Sequence, residues 1–451
     1  MVRLAVPAIT AQLINALYNM VDRMYIGNLP GDEGVRSLGA LGVCLPLIMI
    51  VSAFGTMIGA GGAALAAIKM GGNDRDGAED ILGNCLPLLV GFTAVIMAVC
   101  LIFCRDLLVL VGATDSIIDY AVSYFRIYIL GTLPVLLVLG LNAFINTQGM
   151  AMMSMLTVLL GAVTNIVLDP ILIYGFGMGV QGAAIATVFS QCLSAVWVLC
   201  FLCGKRTRLK IRLSRMKPRW SLIGPVLALG VSPFIMNATE SLVGIVINMS
   251  LKAASPDMVA AERNIGAYSI LASVMQLLLL PMVGLGQSVQ PIISFNCGAK
   301  QFDRVKKAFK LFLLSSVIFT TALWTLIMLF PGLFVRMFSS DTDLFAVAVP
   351  ALRVYMLMSL LLGIQMACQQ TFVAAGRAGI SLFLALLRKV LLLIPLVLVF
   401  SRVWGASGVF AAEPVADFLA VAVTALMFYR YRRVVFSDAG AIKTRPPDTI
   451  E

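Results

Sequence analysis

Several acidic side chains of this chain lie inside long apolar segments, where a carboxylate needs either a partner or a function. Asp22 lies in the first apolar segment, and Asn165 and Asp169 lie together in a later one. A spacing of four residues places Asn165 and Asp169 on the same face of a helix. A carboxylate at bilayer depth costs at least about 2.5 kcal/mol, so these positions are candidates for chemistry.

The oxygen atoms of these three residues and of Thr187, one apolar segment later, suit a small cation. Asp22 and Asp169 offer carboxylates, Asn165 offers an amide oxygen and Thr187 offers a hydroxyl. This set fits Na⁺, or a proton shared by the two acids, because burial favours the protonated form of a carboxyl group. The sequence therefore predicts a Na⁺ or H⁺ coupling site at these four residues.

A purely structural role for the two acids is the alternative. Asp22 could pair with its neighbour Arg23 near a helix end, and Asp169 could sit at a kink caused by Pro170. Long basic side chains reach toward the membrane surface and can form such local pairs.

The second half of the chain carries its own charged side chains within apolar segments. Arg388 and Lys389 lie in one such segment and are as well placed to pair with acids of the next segment as to bind a substrate. The second-lobe acid and substrate candidates are Glu240, Glu413, Asp417, Gln365, Gln369 and Arg388.

Composition identifies an integral membrane protein. The chain is 60% hydrophobic and 12% charged, whereas a soluble domain is typically about 25% charged. It has no His, the commonest metal ligand and general base. We therefore expect no cofactor and no metal beyond Na⁺. No recognisable nucleophile–base pair is present, so the chain is not expected to be an enzyme.

The apolar segments predict an all-α polytopic protein with twelve transmembrane helices. The segments are too long for the alternating strands of a membrane barrel, and about 20 residues suffice for one helical span. The predicted spans are 4–27, 38–68, 81–104, 118–146, 154–175, 180–203, 221–251, 264–295, 308–332, 347–374, 379–400 and 405–429.

The two halves of the chain repeat each other at a nearly constant offset of 227 residues. Matching residues keep their order over more than a hundred positions, which indicates two homologous halves, an architecture common among transporters. The matched pairs are Gly39 and Gly266, Gly59 and Gly286, Gly71 and Gly298, Asp76 and Asp303, and Gly149 and Gly376.

Basic residues predict the orientation of these halves. Lys and Arg concentrate after the sixth and eighth spans and in the tail, and such loops face the cytoplasm. Both termini are then cytoplasmic, and six spans per half make the repeat parallel. The predicted domains are a six-helix lobe at 1–203, a basic cytoplasmic linker at 204–220, a second six-helix lobe at 221–430 and a cytoplasmic tail at 431–451. Because the bases set topology, the net charge of +11 does not indicate a nucleic-acid partner.

Several stretches together resemble the multidrug and toxic compound extrusion (MATE) family over nearly the whole chain. The run 179–187, GVQGAAIAT, is the most specific of them. The others are 4–7, 20–27, 142–149, 165–170, 229–233, 284–288 and 376–378.

The resemblance implies two six-helix lobes in a V around a central cavity that opens to each side of the membrane in turn. It also implies that Asp22, Asn165, Asp169 and Thr187 form a cation site in the first lobe. Glu240 matches a seventh-span acid of some members, but the tenth span offers Gln365 and Gln369 where those members have an Asp. That difference weakens the case for a second Na⁺ site of their type. Glu413 and Asp417 fit a bacterial branch whose acid lies on the twelfth span.

The function expected from the resemblance is a secondary antiporter in the bacterial cytoplasmic membrane that exports organic cations in exchange for Na⁺ or H⁺. A cationic cargo favours an acidic or aromatic cavity, and the 24 Met and 25 Phe offer adaptable walls. The expected partners are small cationic molecules and membrane lipid, and the chain is expected to act as a monomer. The alternative is a flippase or exporter of a lipid-linked or specific metabolite substrate, which would need a cationic groove. A channel is disfavoured, because no filter-like loop repeats.

Overall fold

The structure, a computed structural model, describes residues 2–27, 29, 32–113, 117–338 and 342–436. The side chain of Arg23, on which the structural alternative for Asp22 rests, lies outside the described residues. The predicted tail beyond residue 436 lies outside them as well. Within the described ranges the chain forms helices and no strand, which confirms the all-α prediction.

Eight α-helices make up the first half of the chain. Pro170 ends the seventh, which continues as a π-helical turn, Ile171–Gly175. The helices are α1 (Val2–Gly27), α2 (Asp32–Gly71), α3 (Arg75–Ile102), α4 (Cys104–Leu110), α5 (Ile118–Leu130), α6 (Thr132–Thr147), α7 (Ala151–Pro170) and α8 (Gly179–Cys203).

The second half also contains eight α-helices. A second π-helical stretch, Leu387–Leu393, joins its last two helices, and a short 3₁₀ turn, Leu213–Arg215, lies in the segment between the halves. The helices are α9 (Trp220–Ala254), α10 (Met258–Gly298), α11 (Phe302–Leu329), α12 (Pro331–Arg336), α13 (Thr342–Tyr355), α14 (Leu362–Ala374), α15 (Ala378–Leu386) and α16 (Ile394–Val435).

The described helices provide the twelve predicted spans. Nine helical stretches are long and apolar enough to cross a bilayer, and two bent pairs, α5 with α6 and α13 with α14, add one span each. The last stretch, Gly379–Arg432, is 54 residues long. At about 1.5 Å per residue it is far longer than the ~30 Å bilayer core, and Gly405 breaks it with a non-helical backbone. It therefore supplies two spans.

Hydrophobic packing follows the two halves, with one region of overlap. One core cluster runs from Ile26 to Leu229, whereas two further clusters draw on residues 243–416 and 289–428. The halves also pack on each other, because α2 contacts α9 and α10 and α1 contacts α10. The first cluster thus includes the start of α9, and the domain limits remain a prediction.

The basic segment between the halves is fixed to the first half by a side chain of α3 and by Gln148, directly after α6. The Gln148 side-chain oxygen accepts hydrogen bonds from the Thr207 hydroxyl at 2.8 Å and from the backbone N–H groups of Arg208 and Leu209 at 2.6 and 3.0 Å. The buried Glu79 carboxylate lies 3.0 Å from the Arg212 guanidinium. Part of the basic charge of this segment is therefore paired within the protein.

Candidate functional site

Three helices bring the four predicted cation-site residues together in the first half. Asp22 lies on α1, Asn165 and Asp169 lie on α7, and Thr187 lies on α8. The Asn165 amide nitrogen donates to Asp169 Oδ1 at 3.1 Å and to the Thr187 hydroxyl at 3.4 Å. The i, i+4 spacing on α7 therefore places the amide between a carboxylate and a hydroxyl, as predicted.

The Asp22 and Asp169 carboxyl groups lie within hydrogen-bonding reach of each other. Both side chains are buried, with 7% and 0% of their surface exposed. Asp169 Oδ2 and Asn165 Oδ1 are buried and receive no hydrogen bond from another described residue. Two carboxylates this close cannot both be charged without a compensating positive charge. A proton or a monovalent cation between them would supply that charge.

The donor chemistry of this cluster fits Na⁺ or H⁺. Its four members offer carboxylate, amide and hydroxyl oxygens, which are hard ligands. No group of three or more His, Cys, Asp or Glu side chains able to hold a metal occurs in the described part of the chain. Soft nitrogen and sulfur ligands, which transition metals prefer, are thus not gathered there.

Tyrosines surround the acid pair, and the sequence reasoning missed them. Tyr18 lies one helical turn before Asp22 on α1 and interacts electrostatically with Asp22 and Asp169. Tyr124 also interacts electrostatically with Asp22. Its ring stacks on that of Tyr128, with 6.3 Å between the ring centroids. The i, i+4 spacing of Tyr18 and Asp22 was the available signal, since it places both on one face of α1.

The second half contains a network of five charged side chains, four of which are largely buried. Arg388 Nε lies 2.6 Å from Asp417 Oδ1, and an Arg388 terminal nitrogen lies 3.2 Å from Glu413. Lys389 Nζ lies 3.2 Å from Glu240 and 3.9 Å from Glu413. Arg388 and Lys389 lie in the π-helical stretch, a feature frequent at functional sites. Three acids face two bases, so the acids outnumber the bases by one.

Pairing with the acids is therefore the arrangement that the structure gives to Arg388 and Lys389. The Arg388 side chain is 12% exposed and that of Glu240 is 47% exposed, so Glu240 is the most exposed member of the network. Their roles as substrate ligands remain predictions.

Gln365 and Gln369 lie on α14 and are both buried. The Gln369 amide donates to the Met236 sulfur at 3.3 Å. The Gln365 carbonyl oxygen receives no hydrogen bond from another described residue.

A cavity of about 980 Å³ opens between the two halves, and none of the ten predicted site residues is among the described residues that line it. Its described lining carries no charged side chain, so of the acidic or aromatic lining expected for a cation carrier only the aromatic part is present, at Tyr18, Tyr128 and Phe338. Eight amide side chains line it instead, and sequence reasoning missed them: Gln12, Asn15, Asn142, Asn146, Gln191, Gln276, Gln287 and Gln290. Composition did not mark these positions, because an uncharged amide inside an apolar segment is less costly than a carboxylate.

Comparison with known proteins gives a consistent relationship. The MatE family model matches residues 7–171 and 233–399. The multidrug export protein MepA of Staphylococcus haemolyticus is 24% identical over 425 residues, which cover 93% of this chain and 92% of that protein. MepA of Staphylococcus aureus is also 24% identical, over 435 residues covering 96% of this chain and 93% of that protein.

The fold matches that of solved structures as well. An outward-facing MATE family transporter of the MOP superfamily superimposes with a TM-score of 0.88 at 23% identity, covering 96% of this chain and 95% of that one. A transporter of the MOP superfamily from Pyrococcus furiosus gives the same TM-score at 22% identity, with 96% and 95% coverage.

Proposed function

Because the chain belongs to the MatE family, we propose that it exports drugs and other organic cations in exchange for Na⁺ or H⁺. Membership makes the chain a multi-pass membrane transporter and not an enzyme. Multidrug cargo is supported by the multidrug export proteins among its relatives, and cation antiport is supported by the buried acid pair. We place it in a bacterial cytoplasmic membrane, with both termini in the cytoplasm, acting as a single chain without a cofactor.

The observation that carries the proposal is the buried pair of Asp22 and Asp169. A bound proton or Na⁺ neutralises one of the two charges and lets α1 and α7 stay packed. Release of the cation leaves two close carboxylates that repel each other in a low-dielectric site. The affinity of the pair for a cation therefore depends on how closely the two helices approach.

Helix α1 connects this pair to the second half of the chain. Ten residues before Asp22, the Gln12 amide donates to the Gln287 side-chain oxygen on α10 at 3.2 Å. A helix rises about 1.5 Å per residue, so one rigid element carries both contacts over roughly 15 Å. A change at the acid pair that moves α1 changes the contact between the halves. Such coupling requires the cation to bind the two arrangements with different affinity.

The direction of opening follows from the basic loops. The C-terminal ends of α2 and α10 pack against each other at Gly71 and Gly298, and α10 leads into the basic loop after the eighth predicted span. We assign this end to the cytoplasm, because loops rich in Lys and Arg remain there. The structure then corresponds to a state closed toward the cytoplasm.

A lipid-linked flippase is the less favoured alternative. A pyrophosphate headgroup requires basic side chains in the cavity, and no Lys or Arg is among the described residues that line it. The bases of the 204–220 segment lie in the connection between the halves, partly paired with acids of α3.

The test is ethidium transport by the purified chain in liposomes, first under an imposed Na⁺ gradient and then under an imposed pH gradient. We expect transport with one gradient and at least a tenfold loss in Asp22→Asn. Asp119→Asn is the matched control, because Asp119 is an acid at the start of α5 whose side chain is 84% exposed. Normal transport by folded Asp22→Asn would refute the assignment of the coupling site.

A further inference from the structure

The described lining of the central cavity carries no charged side chain and is rich in hydrogen-bonding groups. Its eight amides come from both halves, on α1, α6, α8 and α10. An amide offers two N–H donors and a carbonyl acceptor without a net charge. Such walls can bind donors and acceptors alike, and they supply no counter-ion for a charged cargo.

Some of these amides donate hydrogen bonds within the protein itself. Gln12 donates to Gln287, Gln290 donates to the Ala60 carbonyl oxygen at 3.2 Å, and Asn142 donates to the Ser154 carbonyl oxygen at 3.3 Å. These bonds hold neighbouring helices together across the cavity wall.

Three amides have no such partner. The side chains of Asn146 on α6, Gln191 on α8 and Gln276 on α10 line the cavity, and none of them forms a side-chain hydrogen bond within the described part of the chain. Asn146 and Gln191 are half-buried and Gln276 is exposed to the cavity space. Their donors and acceptors are available to a molecule in the cavity.

The remaining lining suits an apolar or aromatic body. Met20, Met24 and Met49 and the rings of Tyr18 and Phe338 contribute to the walls. Methionine adapts its shape to different contacts. The volume of about 980 Å³ lies at the upper end of the ~300–1,000 Å³ usual for small-molecule sites.

We infer that the cargo of this cavity includes uncharged amphipathic molecules that combine an aromatic body with hydroxyl or amide groups, held by Asn146, Gln191 and Gln276. The inference rests on the proposed export function and extends its cargo beyond organic cations. A cation entering a neutral cavity loses hydration without gaining an ion pair. An uncharged molecule exchanges its hydrogen bonds to water for hydrogen bonds to the amides.

The test is equilibrium binding to the full-length purified protein in detergent, with two probes. One probe is 4-methylumbelliferyl glucoside, an uncharged aromatic molecule with several hydroxyl groups. The other is tetraphenylphosphonium, a permanent cation without hydrogen-bonding groups. We expect Asn146→Leu, Gln191→Leu and Gln276→Leu each to weaken glucoside binding about 2- to 10-fold, the effect of one hydrogen bond, and to leave tetraphenylphosphonium binding unchanged.

Gln301→Leu is the matched control, because Gln301 is exposed at the start of α11 and does not line the cavity. It should bind both probes as the unchanged protein does. Equal weakening of both probes in the three cavity variants would overturn the inference, since it would indicate general damage to the cavity. Absence of glucoside binding by a protein that exports ethidium would also overturn it and leave the proposed function standing. Glucoside binding by a folded protein that exports no ethidium would support the inference on the cavity and refute the proposed function.

Discussion

Gly71 and Gly298 form a reciprocal contact that repeats the symmetry of the sequence. A Cβ atom added to Gly71 would overlap the carbonyl oxygen of Phe295, and one added to Gly298 would overlap that of Ile68. The offset of 227 residues relates Gly71 to Gly298 and also Ile68 to Phe295. The ends of α2 and α10 therefore approach each other through backbone alone, which only glycine permits.

This contact predicts that Gly71→Ala and Gly298→Ala separate the ends of α2 and α10. Each added methyl group overlaps a backbone carbonyl, so the helix ends must move apart. The distance between spin labels at positions 75 and 301, measured by double electron–electron resonance in a cysteine-free background, should increase. Gly91→Ala is the control, because a Cβ atom there meets no atom within 4 Å. An unchanged distance in both variants would show that this contact does not hold the end closed.

The charge network of the second half predicts a large loss of stability in Arg388→Met. The substitution leaves the Asp417 and Glu413 carboxylates, with side chains 1% and 3% exposed, without their guanidinium partner. Breaking a buried pair from one side costs about 3–5 kcal/mol, and a lower midpoint of thermal unfolding in detergent should report it. The exposed Arg105–Asp119 pair, 3.5 Å apart, provides the control, because Arg105→Met should cost at most about 1 kcal/mol.

A double variant separates charge from packing in this network. Arg388→Met combined with Asp417→Leu removes one partner of each sign, so it should be more stable than Arg388→Met alone. Equal midpoints for Arg388→Met and Arg105→Met would contradict the view that the network is buried and coupled.

The linker contacts predict that Gln148→Leu releases residues 207–209 from the first half. The backbone N–H groups of Arg208 and Leu209 lose their shared acceptor, the Gln148 side-chain oxygen, whereas the Thr207 hydroxyl can donate to the Leu209 carbonyl oxygen instead. A buried donor left unsatisfied costs about 1–3 kcal/mol. Trypsin cleavage after Arg208 and Lys210 should become at least tenfold faster. Gln148→Glu keeps the acceptor and should retain most of the protection. Unchanged cleavage in Gln148→Leu would show that other contacts fix the segment.

The hydrogen bonds of the Asp74 carboxylate at the start of α3 should make the stability of the protein depend on pH. Its carboxylate accepts hydrogen bonds from Lys69 Nζ and from the Gly77 N–H, each at 2.8 Å. Chiefly because of Lys69, the pKa of Asp74 lies below its ordinary value. The stabilisation is therefore present above the ordinary pKa of about 3.9 and is lost as the pH falls through the depressed value.

Asp74→Asn should accordingly lower the unfolding midpoint at pH 7 by an amount that shrinks below about pH 4. The Asp74 side chain is 43% exposed and screened by solvent, so the loss in free energy of unfolding should stay below about 1 kcal/mol. Asp303→Asn, at a side chain that is 93% exposed, should leave the midpoint unchanged. A difference for Asp74→Asn that persists undiminished at pH 3 would contradict this account.

Much of the architecture could be predicted from the sequence because it depends on local composition. Twelve apolar segments set the spans, since each must satisfy its own backbone hydrogen bonds within the bilayer. The bends escaped prediction: α5 and α6 meet at 53° and α13 and α14 at 45°. Bends depend on contacts between helices, which segment composition does not encode.

The candidate site also has features that could be predicted from the sequence and features that depend on helix packing. The spacing of Asn165 and Asp169 on one helix was sufficient to place them on one face, and the cost of charge in lipid marked every acid of the two clusters. That Asp22 meets Asp169, and that Arg388 pairs with Asp417 and Glu413, follows only from which helices pack together.

The amide-lined cavity was decided by the tertiary structure alone. Asn146, Gln191 and Gln276 come from three helices of both halves and show no common spacing in the sequence. An uncharged amide inside an apolar segment is less costly than a carboxylate, so composition did not mark these positions. The three amides share a surface only because α6, α8 and α10 pack around the same cavity. The sequence of a helix determines which residues lie on each of its faces, whereas the neighbouring helices determine which of those faces line a cavity.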